Sequence, residues 1–134
     1  MTQSTLDRVK IFHETYGLPV KDTPDISDAM TNKLRVGLLE EEVQELKEAL
    51  ENNDIVEVLD ALTDIQYVLD GAYLSLGLAH LKETAFAEVQ RSNLSKLGAD
   101  GKPIRRESDG KVMKGPNYSA PNLTQFLIEK DKAA

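Results

Sequence analysis

Ten acids and a single base occupy residues 40 to 64: Glu40, Glu41, Glu42, Glu45, Glu48, Glu51, Asp54, Glu57, Asp60 and Asp64 against Lys47. They fall into two clusters, residues 40–45 and 57–64, on neighbouring segments of helical pattern. Carboxylates gathered in a low-dielectric site cannot all stay ionised unless cations compensate them. Hard oxygen donors of this kind select Mg²⁺ or Mn²⁺. The chemistry they suggest is metal-dependent and acts on a phosphorylated substrate.

The reading depends on where each acid falls around its helix at about 100° per residue. In the first acidic helix Leu39, Val43, Leu46 and Leu50 define a core stripe, widened by Leu38 and Ala49. Glu42 projects inside that apolar sector, Glu45 at its edge and Glu41 just beyond. Glu40, Gln44, Lys47, Glu48 and Glu51 point away and need only solubility as an explanation. In the second helix Val58, Ala61, Leu62, Ile65, Val68, Leu69, Ala72 and Leu76 form the core face. Glu57, Asp60 and Asp64 line a flanking strip, continued by Gly71 and Ser75. Beyond the strip Val56, Tyr67 and Leu74 turn the surface apolar again. Most acid-rich helices are simply solvated, but an acidic strip with apolar residues on both sides is not an ordinary wet face.

The elements that must hold these acids are helical, and strand signals are nearly absent. Residues 6–16 read as a short amphipathic helix closed by Gly17 and Pro19, and residues 21–24 as a loop. Asp25 or Ser27 is expected to cap the next helix, which runs to about Leu50 and stops at Asn52 and Asn53. Asp54 caps the third helix, which ends near Gly77. A fourth runs over residues 81–96 with Ala85, Phe86, Val89 and Leu94. The expected fold class is all-α, a four- to five-helix bundle with a long irregular C-terminal flap. Residues 1–97 form the catalytic bundle; residues 98–134 form the basic flap and a short terminal helix of the same domain.

The flap is read from a shift in composition. Four glycines and three prolines between residues 98 and 121 signal turns. Residues 96–114 hold six bases against three acids, a net +3 in a chain of net −7. Such a segment is expected to order over a bound polyphosphate and to be mobile without it, while Leu123, Phe126, Leu127 and Ile128 dock on the bundle.

Other chemistries are excluded. The acidic balance argues against a general nucleic-acid binder. No cysteine means no disulfide, no thiol catalysis and no Cys-ligated zinc. No apolar leader or bilayer-length run is found, so the expected setting is cytoplasmic and membrane-free. Di-iron bundles need Glu-x-x-His pairs, and neither His13 nor His80 has an acid three residues earlier. Neither histidine has triad partners, and His13 is expected to be a surface or packing residue. Residues 98–102 lack P-loop glycine spacing.

The segment Glu41-Glu42-x-x-Glu45 followed by Asp60 and Asp64 resembles the all-α nucleoside triphosphate pyrophosphohydrolases, the superfamily of MazG-like proteins and phosphoribosyl-ATP pyrophosphohydrolase. The likeness extends through residues 60–71, through Arg91-Ser92-Asn93-Leu94-Ser95-Lys96 and through residues 109–116, nearly the whole chain. It is similar to a phage and bacterial subgroup labelled phosphoribosyl-ATP pyrophosphohydrolase-like. Two departures stand out. The plain Glu-x-x-Asp pattern is met by Glu57 and Asp60, one turn before Asp64, which aligns with the family's final aspartate. Gln90 stands where relatives often carry histidine.

The resemblance implies hydrolysis of a (d)NTP to the monophosphate and pyrophosphate, in nucleotide-pool control. Two or more Mg²⁺ ions, about 3.5–4 Å apart in sites of this type, would neutralise the triphosphate and position a water for attack on the α-phosphorus; Mn²⁺ would substitute. The expected ligands are Glu42, Glu45, Asp60 and Asp64, with Glu57 left open. Glu41 is expected to bind metal or act as general base, and Glu41 and Glu42 are the expected catalytic pair. Lys96, Lys111 and Lys114 are expected on the phosphates and Asn93 on the base or sugar. A homodimer or homotetramer is implied. The nucleobase stays open, as does phosphoribosyl-ATP, and a non-catalytic helical interaction protein is the rival from another class.

Overall fold

The computed structural model describes residues 3–127. The expected Ile128 and the end of the terminal segment lie outside them. Among the described residues the architecture is all-α: helices α1 (Thr5–Tyr16), α2 (Ala29–Glu51), α3 (Ile55–Ser75) and α4 (Lys82–Leu94), a 3₁₀ turn at Ala79–Leu81, and one antiparallel pair of two-residue strands. Those strands are β1 (Ile104–Arg105) and β2 (Val112–Met113). No helix is long and apolar enough to cross a membrane among the described residues. The chain forms two compact units, one up to His80 and one from Leu81 onward, so α4 groups with the C-terminal segment.

Local chemistry sets the helix starts in the first unit. Ser4 and Asp7 form a reciprocal capping box on α1. Asp54 caps α3 by accepting from Glu57 N, as its place in the sequence suggested. The cap of α2 is Asp28, which accepts from Met30 N and Thr31 N, and not Asp25 or Ser27. Asp25 is occupied elsewhere: its carboxylate takes both the backbone N–H and the hydroxyl of Ser27 and pairs with Lys21. Those bonds hold its carboxyl down to about 2.

Helix α3 packs against both α2 and α1. The loop after α1 folds back on the end of α3, where Lys21 N reaches Leu74 O and Asp25 N reaches Leu76 O. Gly77 completes that turn at φ +74°, with the Thr23 carbonyl where a side chain would be, so no other residue fits there.

The core is more polar than the apolar stripes foretold. His13, Arg35, Asp70 and Ser75 are all buried beside Val9, Ala49, Ala61 and Leu74. Thr5 donates to Asp70 at 2.7 Å, and Ser75 donates to the Pro19 carbonyl at 3.0 Å. His13 Nδ1 lies 3.1 Å from the same carbonyl, which makes it the protonated nitrogen and leaves Nε2 a bare lone pair. Arg35 Nη1 and His13 Nε2 crowd onto Gly71, where a β-carbon would collide with the guanidinium. Burial first, and the Arg35 charge after it, hold the His13 pKa below its ordinary value. The fold thus keeps His13 neutral, a packing residue as expected but an interior one.

Two stripes depart from expectation. Leu38, Leu39 and Leu46 are half-buried, but Val43 and Leu50 are exposed, as are Leu62 and Leu69 on α3. Leu74, Gly71 and Ser75, assigned to other faces, are buried instead. The reason is the side from which α1 approaches: it covers the face of α3 that carries Asp70 and Leu74.

In the second unit the C-terminal segment is tied to α4. Ser119 N donates to Ser95 Oγ at 2.8 Å, Asn122 N to Glu88 Oε2 at 2.7 Å, and Arg91 Nη2 to the Ala120 carbonyl at 3.1 Å. The stretch is mostly irregular, as expected, with the short β1–β2 hairpin inside it. Residues 124–127 are helical.

Candidate metal centre

Helices α2 and α3 are joined by the three residues 52–54, which fixes them as an antiparallel pair. Asn53 takes φ 52°, the left-handed conformation that asparagine tolerates, and Asp54 N closes onto Ala49 O at 3.0 Å. Across this hairpin Glu42 and Glu45 of α2 meet Asp64 of α3. One carboxylate oxygen from each of the three lies within 4.8 Å of the others.

Burial grades the acidic strip of α3: Glu57 and Asp60 are exposed, Asp64 is half-buried, and Gly71 and Ser75 are buried. The centre therefore lies where a wet surface passes into the core. Glu42, half-buried, has an Oε2 shielded from water with no hydrogen-bond partner. Its pKa is pushed up to about 7, by burial first, then by a hydrogen bond with Glu45 and the charges of Glu45, Asp64 and Asp60. Burial, then Asp60 and Glu45, raise Asp64 also. Without a cation the site holds more negative charge than it can keep.

The donor set fits a divalent metal. Three carboxylates converge, one carries an unsatisfied shielded oxygen, and all are oxygen ligands of the kind that Mg²⁺ and Mn²⁺ take. Asp60 stands outside the trio but close enough for its charge to act on both Glu42 and Asp64. Beside them a hollow of about 430 Å³ opens between the end of α2 and the start of α3. Glu45, Glu48, Asn52, Asp54, Glu57 and Asp60 line it, over a floor of Ala49 and Ala61. Sequence reasoning did not assign this hollow, although two alanines on facing stripes were the available signal.

The remaining expected residues lie elsewhere. Glu41 is exposed and lines a different hollow with Met30, Lys33, Leu34, Gly37 and Leu38. Asn93 is exposed near the end of α4, and Lys96 is half-buried just after it. Lys111 is exposed; Lys114 holds its Nζ 4.7 Å from the centre of the Tyr118 ring. These four belong to the second unit. The Arg91–Glu88 fork and the Ser95 hydroxyl give the Arg-Ser-Asn-Leu-Ser-Lys segment a structural task that its sequence did not disclose.

The helical fold and the carboxylate trio fit the all-α pyrophosphohydrolases. The family model for phosphoribosyl-ATP pyrophosphohydrolase matches residues 9–93, and the chain belongs to that family. A crystal structure of an inferred NTP pyrophosphohydrolase from Exiguobacterium sp. 255-15 is 26% identical over the whole of both chains, with a TM-score of 0.51. None of the curated protein sequences matches the chain.

Proposed function

We propose that this protein is a Mg²⁺-dependent (d)NTP pyrophosphohydrolase that converts a nucleoside triphosphate to the monophosphate and pyrophosphate. The observation that carries the reading is the convergence of Glu42, Glu45 and Asp64, in a chain of a pyrophosphohydrolase family. Mg²⁺, or Mn²⁺ in its place, would neutralise the polyphosphate and activate a water there. The chain's own part is to hold that charge with Glu42, Glu45, Asp64 and the neighbouring Asp60, and to release the proton from the Glu42 carboxyl as it does so. Glu41, one turn from Glu45, is proposed as a further ligand or as the general base; it also lines the separate hollow with Lys33. The open, polar hollow beside Asp60 gives the substrate room to reach the trio.

Phosphoribosyl-ATP is the second candidate substrate, favoured by the family match itself. Its pyrophosphate is released by the same cleavage, so the carboxylate site does not separate it from a common nucleotide. A product screen does. With Mg²⁺, the common (d)NTPs and phosphoribosyl-ATP are each incubated with the protein, and pyrophosphate is the expected phosphorus product from at least one. A nucleoside diphosphate with orthophosphate would sink the α-phosphorus reading.

Self-association is part of the proposal. Val36, Val43 and Leu50 recur every seven residues along α2, and Ile55, Leu62 and Leu69 do the same along α3, all of them exposed. A seven-residue apolar repeat is what helices use to pair with other helices. We read these stripes as the face on which a second copy packs. Sedimentation equilibrium should give a dimer or a tetramer, and a monomer at micromolar concentration would remove this part.

A further inference from the structure

We propose that Arg35 is a positioning residue for the carboxylate trio. Its guanidinium, seated in the notch that Gly71 leaves in α3, sets how closely α2 and α3 approach where Glu42 meets Asp64. The proposal rests on the metal reading above, and all of its residues lie in the first unit.

Packing alone does not explain Arg35. The residue is only 5% exposed, its Nε is shielded from water with no hydrogen-bond partner, and no acid pairs with its charge among the described residues. Burial draws its pKa down with no bond or opposite charge acting against it. A guanidinium starts so high that it stays protonated all the same. The core therefore carries an uncompensated cation, where an apolar side chain of similar length would be more stable.

Its position along the helices supplies the missing reason. Arg35 stands seven residues before Glu42 on α2, and Gly71 stands seven residues after Asp64 on α3. Seven residues are two turns, about 10.5 Å along each axis. In an antiparallel pair the Arg35–Gly71 contact and the Glu42–Asp64 contact therefore lie on one line. The corner at residues 52–54 fixes which residues face each other. The notch, on the other side of the trio, fixes how far apart the two helices stand.

That notch is tightly walled. A β-carbon at Gly71 would meet Arg35 Nη1 first and His13 Nε2 next, at 3.0 Å. Neither group is free to step aside. The guanidinium is enclosed, and the His13 ring is held by the Pro19 carbonyl, which Ser75 also grips one turn further along α3. A guanidinium is planar and stiff, so against Gly71 it makes a spacer of fixed thickness.

The test measures Mn²⁺ binding to the full chain without nucleotide, by electron paramagnetic resonance of the free ion. Wild type should bind, and Glu45→Gln should lose the ion, which places it at the trio. Arg35→Met should weaken binding about tenfold, the scale found for groups that orient a metal ligand. The same variant should melt at a higher temperature, because it removes an unpaired buried charge. These opposite signs are diagnostic. Coulomb's law alone predicts tighter Mn²⁺ binding once a neighbouring cation is gone, and lost packing alone lowers the melting temperature. Gly71→Ala should also weaken binding. Adding Arg35→Met to it should recover part of that loss, since the pliable thioether chain yields to the new methyl group. Arg35→Met binding Mn²⁺ as tightly as wild type would overturn the proposal, and so would a double variant in which the two losses simply add. If Gly71→Ala does not fold, Arg35→Met decides alone. Failure here is separable from failure of the function. Wild type that binds no Mn²⁺ refutes the metal reading and the spacer with it, whereas unchanged binding in Arg35→Met refutes only the spacer. The expected Mn²⁺ losses in a protein that hydrolyses no nucleotide refute only the enzyme.

Discussion

Glu45→Gln and Asp64→Asn are each expected to abolish measurable turnover while leaving the helical content intact. Each change deletes one negative ligand from a trio whose oxygens lie within 4.8 Å, and keeps the shape of the side chain. Changing a residue that only hydrogen-bonds to a metal ligand costs about 10- to 100-fold in affinity or activity, and loss of the ligand itself costs more than that. The same variants should melt at a higher temperature than wild type when no metal is present, because each relieves like-charge repulsion on Glu42. Glu48→Gln is the control. Glu48 shares the helix and the hollow, but it is exposed, accepts a hydrogen bond from Gln44 at 3.1 Å and stands outside the trio. Turnover and thermal melts with and without Mg²⁺ decide the matter, and a Glu48 variant as damaged as the Glu45 variant would put the metal elsewhere.

Acidity should act on the enzyme through Glu42. Its carboxyl, raised to about 7, holds a proton at mildly acidic pH, and a protonated carboxyl is a poor metal ligand. At limiting Mg²⁺, turnover should therefore climb about tenfold per pH unit below 7 and level off above it. Stability of the metal-free protein should move the other way. The folded state binds the Glu42 proton more tightly than the unfolded chain, whose carboxyl has its ordinary value of 4.5. Between those two values the native state carries more protons, so stability falls as pH rises and this contribution is lost above about 7. Glu42→Gln mimics the protonated form. It should match wild type in melting temperature near pH 5, exceed it at pH 8, and show no metal-dependent turnover at either. A flat rate profile from pH 5.5 to 8.5 at limiting metal would contradict the assignment.

Helical periodicity oriented the acids, and the structure shows where it stopped. The phase of the two acidic helices put Glu42 inside the apolar sector, Asp64 on the flanking strip and Glu48 on the wet side, because 100° per residue is a local property of the chain; Glu42 and Asp64 are half-buried and Glu48 is exposed. The same arithmetic assigned Val43, Leu50, Leu62 and Leu69 to the core, and they are exposed. An apolar stripe records that a face needs cover; it does not record what covers it. The buried polar residues were illegible for a related reason. Asp70 is answered by Thr5 from 65 positions away and Ser75 by Pro19 from 56, so their partners exist only once the chain has folded. Asp25, Ser27 and Asp28 are all competent caps by residue type. Only the Lys21 and Ser27 bonds that occupy Asp25 leave the task to Asp28.

The three-residue connection between α2 and α3 works as a ruler. Its length and its turn are set by backbone bonds, Asn52 N to Glu48 O and Asp54 N to Ala49 O, and by the left-handed Asn53. Glu45 and Asp64 are therefore brought opposite one another by counting residues from a fixed corner, with no side chain needed to align them. Glu48 and Glu57 on the rim of the hollow lie outside both the trio and the corner, so their identity can change without moving Glu45 relative to Asp64. A scaffold of that kind can vary part of its rim while the trio stays in register.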